Sequence, residues 1–511
     1  MDIWGVPPPS RRRWLVAGVG VLASLSLLYL LATYNSSITV DTSSPTSVAQ
    51  TLLPSAARYW PFGTLSPYPH SNTTAYAPDP RPPTLGDPSV EADSQCTLAQ
   101  VQVVSRHGSR NPADDNIAKY QALLSRLQVH WKAQLAQDPS LAWLQDYALE
   151  YETGGNSLTI AGRRDLHQLA QRIYRRYQAF WDGLGRPSNA YPGHWHVTSS
   201  NTNRTIESAN IFMNQLNDAI AAHTDARPSF SPHYRFDITM RPDDTLFHPS
   251  EQCPYWNEAY HSQRSQDYID REQALMEKRF FGQVRAHLTA TLRGFDLAND
   301  DIVHLYDMCG YENVNYPQAK GGICSLFARE VADTGLLEYW RDIWRYNKYG
   351  PGIIQGPSRT LACPMFRQLL QEMQRCRQPT TRTSVMEPCN QGRFWFGHSS
   401  IIFLLSNVLQ LDYKVEPLMG SASQAFMHSR VYKASWIAPF SANLVFELYR
   451  CGSASTGDGP ALQFRVWRNE QPFRPHLASC DPETGFCHVD KVLDELSALY
   501  QCDWAELCQV P

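Results

Sequence analysis

AQVQVVSRHGSRNP, residues 99–112, opens as a strand and ends as a polar turn. Val101, Val103 and Val104 suit a short buried strand. Gly108 and Pro112 then stop it from continuing. The same change from strand to polar residues recurs twice. HWHVTSS (194–200) runs into Asn203-Arg204-Thr205 and a helical stretch carrying Ile206, Ala209, Ile211 and Met213. FWFGHSS (394–400) meets the apolar run IIFLL. Two late stretches, SANLVFELYR (441–450) and LQFRVWRNEQ (462–471), read as strands of a hairpin or meander.

Between these strands the sequence turns helical. Residues 115–150 read as mostly helical, and Leu158 to Phe180 shows a stripe of Leu166, Leu169, Ala170, Ile173 and Tyr177. The region 225–390 is mixed, with helical stretches around 265–292 and 325–346. Alternating strands and helices predict an α/β fold. Its expected form is a central mixed sheet flanked by helices, with an inserted helical lobe within about 225–390 over the active site. No internal repeat is visible.

Outward from this domain, the N-terminal part reads differently. Arg11, Arg12 and Arg13 precede an uncharged apolar run from Trp14 to Ala32, long enough to cross a bilayer. The run ends in Leu31-Ala32-Thr33-Tyr34, a poor cleavage site, so a signal anchor is expected over a cleaved signal peptide. The arginines place the N-terminus in the cytosol. Residues 35–95 are rich in Pro, Ser and Thr and read as a linker, partly wrapped on the domain; the folded domain is expected at 96–511. Asn35 and Asn72 head glycosylation sequons, NSS and NTT.

All 12 cysteines lie from Cys96 onward, with no C-x-x-C pair. That favours disulfides in an oxidising compartment over a metal site. Cys480 with Cys487, and Cys502 with Cys508, are near enough to close small loops. The formal net charge of -4 lacks the basic excess of a nucleic-acid binder. An anionic small molecule needs only a local basic cluster.

Such clusters exist at the three strand ends: Ser105 to Pro112, Asn203-Arg204-Thr205, and Gly397-His398-Ser399. Each alone would pass as a helix cap or a solvated loop. Ligands in open α/β sheets sit beyond the carboxyl ends of the strands. Two histidines and three arginines at such ends fit a phosphate site.

Arg-His-Gly-x-Arg-x-Pro at 106–112 resembles the active-site signature of the histidine acid phosphatases, the phytase-like branch of the histidine phosphatase superfamily. At average residue frequencies it would arise by chance in roughly one such chain in ten thousand. Further blocks resemble the multiple inositol polyphosphate phosphatases: LTIAGRRDLHQLAQRI (158–173), SNTNRTIESANIF (200–212), YDMCGYE (306–312), YGPGI (349–353), FGHSS (396–400), SANLVFELYRC (441–451) and FRVWRNEQ (464–471). The resemblance implies hydrolysis of phosphomonoesters, inositol polyphosphates such as phytate above all. His107 would be the nucleophile, forming a phosphohistidine. Arg106, Arg110 and Arg204 would clamp the phosphate, with His398 as a further donor. The chemistry is coherent. A neutral imidazole is not repelled by a phosphate dianion, and guanidinium forks match phosphoryl oxygens. These cations can stabilise the transition state, so no cofactor or metal is expected.

The resemblance departs at one place. In the family an acidic residue follows the second histidine, as His-Asp or His-Ala-Glu, and protonates the leaving alcohol. Here Ser399 and Ser400 follow His398. Asp114, Asp115 and Glu207, near the expected loops, are alternative donors. Two other readings stay open: a pseudophosphatase that binds polyanions without turnover, and a generic acid phosphatase.

Overall fold

β1 (Cys96–Arg106) is rich in valine and lies where one eight-stranded sheet changes character. On one side it pairs parallel with β4 (Gly392–Gly397); on the other it pairs antiparallel with β5 (Asn443–Cys451). Beyond β4 come β2 (His194–Ser200) and β3 (His233–Thr239), both parallel. Beyond β5 come β6 (Ala461–Arg468) and β7 (Gln471–Phe473), both antiparallel, with β8 (Cys487–His488) also pairing with β6. The order is β3-β2-β4-β1-β5-β6-β7. The mixed sheet and the late hairpin match the sequence reading. β3 lies in the region read only as mixed.

This computed structural model describes residues 62–68 and 96–510, apart from 137, 149–153, 185–193, 224–232, 240–243, 316–321, 328–329, 378–388, 413–414 and 453–460. The expected anchor, Trp14 to Ala32, lies outside them, as do Asn35 and Asn72. Among the described residues no helix is long and apolar enough to cross a membrane.

Strand alternation sends the two faces of the sheet into two cores. Val101, Val103, Val197, Phe394 and Phe396 pack with Leu166, Leu169, Ile173 and Phe212 of helices α1 (Ile160–Arg176) and α2 (Asn203–His223). Val104, Trp395, Leu444 and Phe446 belong to the other, larger core, shared with the helical region. That region includes α3 (Asn299–Asn315), α4 (Glu330–Tyr349) and α5 (Cys363–Arg375). Gln100 and Gln102 are buried on this side, and their Nε2 groups donate to the carbonyls of Asn390 at 2.6 Å and Leu369 at 3.1 Å. The buried amides therefore keep partners while fixing β1 against α5.

The 12 cysteines form six disulfides: Cys96–Cys451, Cys253–Cys508, Cys309–Cys324, Cys363–Cys502, Cys376–Cys389 and Cys480–Cys487. The expected Cys480–Cys487 loop is present. Cys502 and Cys508 do not pair with each other. They flank the short helix Trp504–Leu507 and pair instead with Cys363, which opens α5, and with Cys253. Proximity in sequence favoured the small loop, but the closed core set the long-range partners.

Candidate active site

β1 ends at Arg106 and β4 at Gly397, paired in register; Ser199 of β2 pairs with Phe396 of β4. The three polar clusters therefore emerge side by side at one edge, with His398 between the other two. His107 N–H donates to the Gly397 carbonyl at 3.0 Å, and Ser441 N–H donates to the His107 carbonyl at 3.1 Å. The His107 loop is thus held by the strands on both sides of β1. α2 and α6 (Ser399–Val408) both start at this edge, pointing the positive ends of their dipoles toward it.

Gly108 is required here by a close approach. A Cβ on it would lie 2.5 Å from the Gly162 carbonyl oxygen of α1. Its N–H donates to Ser208 Oγ of α2 at 3.1 Å. Ser109 accepts from Thr159 N–H at 2.9 Å, and its hydroxyl donates to buried Asp165 at 3.2 Å. Burial pushes the Asp165 carboxyl up to about 7. Asn111 N–H donates to the Ser157 carbonyl at 2.9 Å. The loop therefore rests on the start of α1 along its whole length.

His107 is buried, 3% exposed. Its Nδ1 lies 2.7 Å from the Gly108 carbonyl oxygen. A carbonyl only accepts, so Nδ1 carries the ring proton, leaving the lone pair of the neutral imidazole on Nε2. Burial, then Arg106, Arg204, His398 and Arg110, hold the His107 pKa well below its usual value. Four of the groups named from sequence thus converge on one imidazole. The His107 and His398 ring centroids are 5.6 Å apart, edge to face.

Arg106 is as buried as His107, and burial, followed by Arg110, lowers its pKa. Its Nη1 donates to the carbonyls of Thr64 at 2.5 Å and Ala438 at 2.9 Å, and the guanidinium lies 4.3 Å from the Phe440 ring centroid. Thr64 belongs to residues 62–68, inside the stretch read as linker. This strap is built in: Phe62, Ser66 and Tyr68 are buried, Phe440 N–H donates to Ser66 O, and Arg345 Nη2 reaches Thr64 Oγ1 at 3.1 Å. Arg110 is half-buried and donates to the Asn111 carbonyl at 2.7 Å. Arg204 sits in the first turn of α2.

The alternative acids do not gather with these groups. Asp114 accepts from Gly155 N–H at 3.0 Å, Glu207 pairs with Arg163 at 2.7 Å, and Asp115 is exposed. A neighbour absent from the sequence reading does reach His398. After β3, Asp244 accepts from Thr239 Oγ1 at 2.8 Å and Phe247 N–H at 3.0 Å, folding the chain back. This turn sets His248 beside His398, ring centroids 4.8 Å apart.

Residues 97–469 match the family model described as histidine phosphatase superfamily, branch 2. The chain belongs to this family. Among curated relatives, phytase A of Aspergillus terreus is 26% identical over 428 residues, covering 82% of this chain and 86% of that protein. Multiple inositol polyphosphate phosphatase 1 of Gallus gallus is 25% identical over 464 residues, covering 88% and 92%. Solved structures share the fold. The phytase of D. castellii superposes with a TM-score of 0.62 at 18% identity, covering 88% of this chain and 86% of that one. The Bifidobacterium longum multiple inositol polyphosphate phosphatase, in complex with inositol hexasulfate, gives 0.61 at 14%, covering 86% and 97%. In this histidine phosphatase the converging residues lie in the blocks quoted from the sequence. His248 and the 62–68 strap lie outside those blocks, and Ser200, which opens the block 200–212, carried no role there.

Proposed function

We propose that the chain hydrolyses inositol polyphosphates, phytate among them, through a phosphohistidine on His107. The observation that carries this is His107 itself: a buried neutral imidazole with its Nε2 lone pair available, ringed by Arg106, Arg110, Arg204 and His398. The names of the relatives and the inositol hexasulfate bound by the B. longum protein support the substrate class.

In this reading the arginines and the two helix N-termini hold the phosphoryl oxygens, and His398 adds a donor. His107 Nε2 attacks phosphorus while the ester oxygen departs with the bonding pair. The Gly108 carbonyl, accepting from Nδ1–H, stabilises the positive charge that develops on the ring as it becomes phosphorylated. Water then cleaves the phosphorus–nitrogen bond. No step calls on a nucleic acid or a cofactor.

The six disulfides support folding in an oxidising compartment, here the secretory pathway. The segment 14–32 as a single-pass anchor, residues 35–95 as a mostly linker stretch around the strap, and sugars on Asn35 and Asn72 belong to the same proposal and rest on sequence. The direct test is phosphate release by the full chain from phytate and from p-nitrophenyl phosphate. Hydrolysis of phytate supports the proposal. Binding of phytate without release from either ester would replace it with a non-catalytic polyanion binder. Release from the aryl ester alone would replace it with a generic phosphatase.

A further inference from the structure

An inositol alkoxide is a poor leaving group, and neither Ser399 nor Ser400 can protonate it at ordinary pH. We propose that Glu251, His248, Ser200 and His398 form a proton wire that supplies the leaving oxygen. The inference rests on the phosphohydrolase reading above and identifies what replaces the family's acid.

The geometry is continuous. Ser200 Oγ, fully buried at the end of β2, lies 3.1 Å from His248 Nε2 and 3.3 Å from His398 Nε2. His248 Nδ1 lies 3.5 Å from Glu251 Oε1; the histidine side chain is 13% exposed and the glutamate 47%. The chain of groups therefore runs from solvent at Glu251 to His398, whose ring meets that of His107. Asp244 fixes its middle, because it pins the turn that carries His248. Gly397 contributes too: a Cβ there would lie 2.3 Å from Phe247, so the bare glycine lets the turn close over the end of β4.

Proton counting makes the arrangement a relay. A hydroxyl has one hydrogen, so Ser200 cannot donate to both imidazoles; at least one ring must donate to it. Glu251 holds a proton on His248 Nδ1. The Ser200 hydroxyl then donates to His248 Nε2 and accepts from His398 Nε2–H. When His248 takes up a second proton, on Nε2, every bond in the chain reverses. His248 donates to Ser200, Ser200 donates to His398 Nε2, and His398 now carries its proton on Nδ1. As His107 Nε2 forms the bond to phosphorus and the phosphorus–oxygen bond breaks, the ester oxygen takes that Nδ1 proton along with the bonding pair, while Ser200 passes its proton to His398 Nε2 and takes the Nε2 proton of His248. His398 and His248 are both left neutral, and Glu251 has balanced the positive charge on His248 in between. When water attacks the phosphohistidine, its proton returns by the same path in reverse.

The test uses the full chain and two esters. Phytate needs a proton on departure; p-nitrophenolate leaves without one. His248→Gln and Ser200→Ala should each lower the phytate rate by about 10²-fold or more, the scale of general acid catalysis, and lower the aryl rate far less. Ser200→Thr, which restores a hydroxyl, should recover most of the phytate rate lost in Ser200→Ala. In the native chain, phytate turnover in mixtures of H₂O and D₂O should curve with deuterium fraction, as several protons move together, while aryl turnover stays linear. Equal losses on both esters would mean that His248 and Ser200 only support the fold, and the wire falls. Unchanged phytate turnover in either variant also removes it. Should a variant not fold, a linear isotope response of the native chain on phytate overturns the inference by itself. A native chain that hydrolyses neither ester overturns the proposed function and the wire together; one that hydrolyses both, with variants that lose both equally, overturns the wire alone.

Discussion

At the end of β1, one unbroken run from Arg106 to Pro112 carries the proposed nucleophile, His107, and two of the three arginines. At the end of β4, His398 has serines behind it and takes its polar neighbours from β2 and from the turn after β3. The first half is built on one run: its loop lies on the start of α1, and its contacts at Gly108 and Ser109 join residues of quoted blocks. The second half exists only once the strands are side by side, because Ser200, His248 and His398 are far apart in the chain. Attack on phosphorus demands a fixed lone pair and fixed charges, which a rigid loop supplies. Delivering a proton demands only a hydrogen-bonded path, which can be assembled from many positions.

The contrast can be broken most directly at the nucleophile. His107→Ala should fold and lose phosphate release from both esters by on the order of 10⁴-fold or more, since no neighbour can take the phosphoryl group. Retention of aryl turnover would remove His107 from its role. Arg204→Lys tests the member of the clamp outside the contiguous run. A point charge replaces a planar fork, so kcat/KM should fall by about 10²-fold on both esters alike. A loss confined to phytate would move Arg204 to the leaving-group half. Ser400→Glu, made in the His248→Gln background, restores a carboxylate where the family carries one. Its phytate rate should rise about tenfold, as part of the general-acid contribution returns; kinetics on phytate that stay flat would show that this position no longer faces the leaving oxygen.

The smallest effect concerns the support under the first half. Asp165 has a folded pKa raised by burial to about 7, above its usual value near 3.8. The folded state therefore binds its proton more tightly than the unfolded state. Its favourable contribution is complete below about pH 3.8 and is lost as pH rises to about 7. Asp165→Asn removes that loss while keeping an acceptor for Ser109. Thermal unfolding should show the variant a few degrees more stable at pH 8 and unchanged at pH 3.5. Equal Tm values at pH 8 would mean that the carboxylate is solvated in the loop.

How far the sequence could be read follows the same divide. The strands at 99–106, 194–200 and 394–397 are short and each runs directly into a polar cluster, so the sheet and the convergence of His107, Arg204 and His398 were open to pattern reasoning. β3 was not: HYRFDIT mixes charged residues into its strand, and only its seven-residue pairing with β2 makes it one. His248 sits in FHPSEQC, a turn with no spacing to flag it. Its role depends on the distant hydroxyl of Ser200. Asp114, Asp115 and Glu207 were plausible by sequence distance, but Asp114 pairs with Gly155, Glu207 pairs with Arg163, and Asp115 is exposed. Residues 62–68 looked like linker because Pro, Gly and Tyr give no periodicity. Burial of Phe62 and Tyr68 comes from tertiary packing alone.

The long-range disulfides carry a consequence for how the molecule is made. Synthesis delivers the chain from its N-terminus, so β1 waits for Cys451 before its end is stapled to β5, 355 residues later. Cys253 and Cys363, both fully buried, wait longer still for Cys508 and Cys502. A message interrupted before Trp504 would leave Cys253 an odd thiol in an apolar core, with every proposed site residue already made.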